Sequence, residues 1–171
     1  SCSIGAPKNE FPIWELTARD SDQGNKARFR IWEDSPSVYS NFALSLNTWY
    51  HLVGTYEVVN ETYTVMRIYV NGELNEEYSG TCCPDYRLTT ADPVYVGAGY
   101  YDCGIKHYFN GIIDEVAIWN RSLTEDEVSE IYQRQKDKYG GGEQGIFISR
   151  IFDAGADANW TNLSHSSSTP E

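Results

Sequence analysis

The feature that most constrains this chain is a dipeptide, Asn71-Gly72, set between two strand-length segments. Both positions of a tight two-residue turn need positive φ, and Asn-Gly tolerates that best. Before it, Thr64-Val65-Met66-Arg67-Ile68-Tyr69-Val70 is rich in β-branched and aromatic residues; after it, Glu73-Leu74-Asn75-Glu76-Glu77-Tyr78 returns. A hairpin is predicted here. An isolated hairpin is barely stable in water, so other strands must cover it.

Candidates for those strands lie on both sides. Residues 11–19 carry a strand pattern, and Asp20-Ser21-Asp22-Gln23-Gly24-Asn25 is a dense turn signal. Residues 27–33 alternate small or apolar with charged side chains, the period of a half-buried strand. Residues 42–44 read as a short edge segment, and residues 49–56, 94–99 and 112–119 as further strands, with loops over 80–92 and 100–107. Short strands with frequent turns point to an all-β antiparallel sandwich or barrel, and the high aromatic fraction of 14% fits pleated, half-buried surfaces. One helix is predicted from Thr124, whose spacing to Glu127 makes a capping box. Val128, Ile131, Tyr132 and Gln135 then fall on one helical face, and Gly140-Gly141-Gly142 ends it.

The formal net charge of −12 repels nucleic acid and anionic lipid. It suits Ca²⁺, a hard cation that takes carboxylate and carbonyl oxygens, and equally suits plain solubility outside a cell. No run is long and apolar enough for a transmembrane helix. The first residues have neither the basic nor the apolar part of a signal peptide, and read as a cut within a larger protein. The four cysteines are Cys2, Cys82, Cys83 and Cys103. Their even number, beside glycosylation sequons at Asn60, Asn120, Asn159 and Asn162, predicts oxidising, extracellular surroundings. Bridging Cys82 to Cys83 would strain the ring. Cys2 is therefore expected to join one of them and Cys103 the other. No CxxC pair suggests zinc, and His51, His107 and His165 are far apart.

At two blocks the residues resemble a family. Residues 49–56, Trp49-Tyr50-His51-Leu52-Val53-Gly54-Thr55-Tyr56, followed by Met66-Arg67-Ile68-Tyr69-Val70-Asn71-Gly72, resemble the central strands of laminin-G-like and pentraxin-like jelly rolls. Tyr108-Phe109-Asn110-Gly111-Ile112-Ile113-Asp114-Glu115-Val116-Ala117-Ile118-Trp119 and the following Asn120-Arg121-Ser122-Leu123-Thr124 look like that family's closing strand and helix start. The resemblance covers about residues 11–132. It implies a concanavalin A-like, two-sheet antiparallel sandwich with one short C-terminal helix. Such domains commonly bind glycans or proteins, often hold Ca²⁺, and serve as beads in modular surface proteins or as accessory domains of secreted glycoside hydrolases. The resemblance implies that the family's opening strands are missing here, and residues 146–162 resemble the start of a next module. The organisation read from this is a sandwich over 1–139, a Gly-rich linker over 140–144, and an extra strand or following module over 145–171 with a partly disordered tail. The segment 145–152 can fold onto its own sheet or exchange into a second copy to make a homodimer.

Catalysis is not expected. Glucanases on this fold set Glu-x-Asp-x-x-Glu along one strand, and the nearest match here has Ile112 and Ala117 where glutamates belong. Asp114 and Glu115, being adjacent, point to opposite faces. The chain therefore reads as a non-catalytic binding or adhesion module of the cell exterior or surface, for a carbohydrate or an extracellular protein. The alternatives are a structural spacer and a hydrolase accessory domain. Candidate ligand-binding residues are Tyr95, Tyr100, Tyr101 and Asp102, with Tyr108 nearby; all these tyrosines can equally be core or edge aromatics. Candidate Ca²⁺ ligands are Asp114, Asp102 and Asp85, with Asp92 in the same loops. Asp114 can instead bond backbone amides at a strand end, and the loop aspartates can simply be solvated. Thiol titration of the denatured, unreduced chain is expected to find no reactive thiol, and reduction should destabilise the fold by about 3–5 kcal/mol; two or more free thiols would overturn both the bridges and the extracellular assignment.

Overall fold

The structure is a computed structural model of the 171-residue chain, and it describes residues 14–31, 36–81, 94–101, 104–139 and 146–150. Strands β1 (Trp14–Asp20), β2 (Lys26–Ile31) and β3 (Ser37–Ala43) form an antiparallel sheet in chain order. Strands β4 (His51–Val58), β5 (Tyr63–Val70) and β6 (Glu73–Thr81) run antiparallel in a second sheet. A small hairpin follows, β7 (Gly99–Tyr101) with β8 (Gly104–Lys106). After β9 (Ile113–Asp114) and helix α1 (Glu125–Tyr139), β10 (Ile146–Arg150) completes the second sheet in the order β6-β5-β4-β10-β9.

This is the all-β sandwich that the strand pattern predicts, with one departure from an antiparallel design. β10 runs parallel to both neighbours, pairing Ile148 with Leu52 of β4 and Ile146 with Ile113 of β9. Parallel neighbours need a long crossover, usually helical. Between β9 and β10 that crossover is α1. The strand-length segment after the glycines thus lies in the chain's own sheet. The linker 140–144 and the tail beyond Arg150 lie outside the described residues.

Burial follows from this layering. In β2 the pattern alternates, with Ala27, Phe29 and Ile31 buried and Lys26, Arg28 and Arg30 half-buried. One face therefore packs and the other does not. In β4 residues 51–55 are all buried. Leu52 joins Leu16, Phe29, Val38, Met66 and Ile68 between the sheets. Its neighbour Val53 faces the other way, into a second cluster with Tyr69, Leu123 and Val128 against which Trp119 and Ile131 pack. A strand covered on both faces loses the alternation of a half-buried one.

Three elements differ most from the sequence reading. β3 starts at Ser37 rather than near residue 42. The strand read over 112–119 shrinks to Ile113–Asp114, because Glu115 takes φ +53° and leaves the extended region. The strand read over 94–99 gives way to the β7–β8 hairpin at 99–106, because Gly97 takes φ +76° and turns the chain.

The Asn71-Gly72 turn forms as predicted, with φ of +53° and +82°. It is also tied to β4: Asn71 N–H donates to the His51 carbonyl at 2.8 Å, and His51 N–H donates to Asn71 Oδ1 at 3.0 Å. Gly72 is needed twice, since a Cβ there would come 2.8 Å from Tyr132 of α1. The Tyr132 ring in turn stacks on His51, with centroids 5.8 Å apart and planes 20° off parallel. The helix starts with the predicted capping box: Glu127 N–H donates to Thr124 Oγ1 at 3.3 Å, and Thr124 N–H to Glu127 Oε2 at 2.9 Å. Such a cap is worth about 1 kcal/mol.

Two predictions follow from this packing. A Cβ at Gly54 of β4 would sit 2.3 Å from Phe29 Cδ2 across the sheet interface. Gly54→Ala should therefore destabilise the protein by about 1–3 kcal/mol, as overpacking does, with Phe29→Leu partly rescuing it; an unchanged urea midpoint for Gly54→Ala would refute the close contact. Burial pushes the His51 imidazole down to about 4 from its ordinary 6.5. The fold favours the neutral ring, so this contribution is complete above pH 6.5 and is lost as pH falls toward 4, by up to about 3 kcal/mol. NMR titration should find His51 neutral at pH 5.5, and a midpoint near 6.5 would refute it.

Candidate functional site

The segment 94–112, described at 94–101 and 104–112, carries the β7–β8 hairpin and is here called the arm. It is pinned at its base. Phe109 N–H donates to the Gly97 carbonyl at 2.8 Å, and both Phe109 and Ile113 pack against the inter-sheet core. Beyond that pin the β7–β8 pairing sets Gly99 opposite Lys106 and Tyr100 opposite Ile105. The arm exposes an unusual amount of apolar surface: Val94 is 41% exposed, Val96 52%, Ile105 47%, Ile112 54% and Tyr108 73%. Single exposed apolar residues are ordinary on a protein surface, whereas several on one short arm mark a contact surface.

The predicted ligand-binding residues fall on this arm in different ways. Tyr95 is half-buried at its start, and Tyr100 and Tyr101 belong to β7. Asp102 joins β7 to β8 and lies outside the described residues, as do Asp85, Asp92 and all four cysteines, Cys2, Cys82, Cys83 and Cys103. Sequence reasoning named Tyr108 but missed Val94, Val96, Ile105 and Ile112. Val94, Val96 and Ile112 sat in segments read as strands, where an apolar residue is taken for core.

Asp114 ends β9, the edge strand of the second sheet, and is half-buried. Its Oδ1 accepts the Glu115 N–H at 2.8 Å, and its Oδ2 lies 3.2 Å from Lys138 Nζ. Lys138, near the end of α1, also bonds the Glu115 carboxylate. Lys138 of the crossover helix thus bonds both members of this acidic pair, and the bonds tie helix to sheet. Among the described residues no group of three or more His, Cys, Asp or Glu side chains is arranged to hold a metal ion.

Beside this ion pair lies a shallow pocket of about 220 Å³, lined by Glu115, Val116, Ala117, Trp119, Ile131, Arg134 and Gln135. It is smaller than the usual small-molecule site. A third polar feature, unnoticed in the sequence, is a row on the outer face of the first sheet. Glu15 of β1 lies 2.5 Å from Arg28 Nη2 and 2.9 Å from Arg30 Nη2 of β2, and accepts a hydrogen bond from Thr17. Burial raises the Glu15 carboxyl, but the Thr17 hydrogen bond and the charges of Arg30 and Arg28 outweigh it and hold the group below its ordinary value. Cross-strand register explains the row, since Glu15 pairs with Arg30 and Thr17 with Arg28. Of the sequons, Asn60 is exposed at the β4–β5 tip and Asn120 is exposed before α1, while Asn159 and Asn162 lie outside the described residues.

A family model of laminin G-like domains, described as the concanavalin A-like lectin/glucanases superfamily, matches residues 4–129. The chain belongs to this superfamily. The laminin G-like match takes in the arm, Asp114 and the helix cap, whereas most of α1 and all of β10 lie beyond it. Membership points to an extracellular or surface module. No curated protein sequence matches the chain. A solved structure of a segment of an S-layer domain-containing protein from Clostridium thermocellum is 23% identical, with 63% of this chain and 52% of that one covered at a TM-score of 0.42. The chain spans about half the length of that structure, and at this TM-score the likeness carries no argument. Among the described residues, no helix is long and apolar enough to cross a membrane.

Proposed function

We propose that this laminin G-like domain is a non-catalytic extracellular binding module that takes a carbohydrate, or a protein surface, on the arm formed by residues 94–112. The observation that carries the reading is the run of exposed apolar side chains on that arm, with Tyr108 the most open. A tyrosine offers a flat apolar face and a polar tip, which suits a pyranose ring or a protein contact. Tyr95, Tyr100 and Tyr101 belong to the same arm. Calcium enters the proposal through Asp102, which lies within the arm in sequence, with Asp85 before it and Asp114 just after it.

The non-catalytic reading is supported by where the carboxylates are spent. Glycoside hydrolysis needs two carboxyl groups flanking one bond, one of them available as an acid. Asp114 and Glu115 are instead engaged by Lys138, and Glu15 by two arginines. The glutamate positions of the glucanase pattern hold Ile112 and Ala117.

A glycan array and a panel of extracellular proteins, each read with and without Ca²⁺, test this reading. Tyr108→Ala should weaken any ligand found by about tenfold or more, as loss of an interface anchor does, without moving Tm, because that side chain is largely in solvent. Binding that survives both Tyr108→Ala and Ile112→Ser would place the site elsewhere. Silence on both panels would favour a spacer.

A further inference from the structure

The β4–β5 hairpin ends in a tip whose geometry and surface both point to a modification. Val59 N–H donates to the Tyr63 carbonyl at 2.9 Å and Asn60 N–H to the same oxygen at 3.2 Å, which closes the loop around Asn60-Glu61-Thr62. Within it, Asn60 Oδ1 accepts the Thr62 N–H at 3.0 Å and the Thr62 hydroxyl at 3.3 Å. Both bonds engage Oδ1 rather than Nδ2, and the side chain is exposed. The residues beside the sequon are apolar and open, with Val58 48% exposed, Val59 54% and Tyr63 38%. A hairpin tip in water has no packing reason to carry three such residues together.

We propose that Asn60 is an N-glycosylation site and that its first sugars pack over Tyr63 and the neighbouring valines. In the transfer step Nδ2 forms a bond to C1 of the reducing-end sugar of a lipid-linked oligosaccharide. The C1–O bond to the donor's phosphate breaks, the lipid phosphate departs with the electron pair, and one amide proton is lost to the transferase. The Thr62 hydroxyl, held on Oδ1, is the group the N-x-S/T pattern requires two residues on. The apolar face of a pyranose then has an aromatic ring to lie on. Asn120 differs. The described hydrogen bonds of Asn120-Arg121-Ser122 run from Arg121 to the Ser122 carbonyl and to Glu127, and Ser122 is half-buried.

The proposal rests on the extracellular assignment but not on the binding arm. The test is to secrete the full chain from a eukaryotic cell and map its peptides by mass. A glycopeptide containing Asn60 is expected, and it should vanish in Asn60→Gln and in Thr62→Ala. A folded, secreted protein with Asn60 bare overturns the site and leaves the binding reading standing. Enzymatic removal of the sugar should lower Tm by about 2 °C in the wild type and leave Tm unchanged in Tyr63→Ala. An equal drop in both overturns the packing over Tyr63.

Discussion

The contact of the Phe29 ring with the bare backbone of Gly54 sets the spacing on which the rest of the structure depends. Across it the two sheets come close enough for Leu16, Ile31, Val38, Leu52, Met66 and Ile68 to fill one core. Loss of a buried phenylalanine side chain costs about 3–5 kcal/mol in a typical core. Glycine is normally a weak strand residue. At position 54 it is the residue whose absence of a side chain lets a larger one in.

The second sheet is covered on its other face by a crossover, and that crossover explains several features at once. β9 and β10 run parallel, so the chain between them must traverse the sheet, and α1 does so. Val128 seals against Val53 and Tyr69, while Tyr132 rests on Gly72 and His51. Position 72 thus serves the turn and the helix together. The Asp114–Glu115–Lys138 ion pairs close the far end of the helix. Exposed pairs of this kind contribute little energy each. They tie a helix already docked by apolar packing.

With the sandwich filled by its own residues, the candidate site is left to an arm pinned at Phe109 and Ile113. A rigid base with an exposed apolar loop is a common way to place recognition on a stable scaffold. How much of it was legible in the sequence varies by residue. Tyr95, Tyr100, Tyr101 and Tyr108 stand out as aromatics between turn signals. Val96 and Ile112 do not, because a valine or isoleucine in a strand-like run has the same local pattern whether it faces core or solvent. The Glu15–Arg28–Arg30 row was equally hidden, since cross-strand register is not written in either strand alone.

The sequence by itself determined the local geometry. Asn71-Gly72 specified a turn, Thr124 with Glu127 specified a helix start, and the alternation at residues 27–31 specified a one-sided strand. Each depends on backbone sterics or on hydrogen bonds within a few residues, so neighbours in the chain suffice. Tertiary structure decided what is non-local: that β10 enters between β4 and β9, that Glu115 ends a strand its side chains would have continued, and that the valines at 94 and 96 face water. Those outcomes turn on which surfaces meet across the fold, and burial is a property of the assembled layers rather than of any single segment.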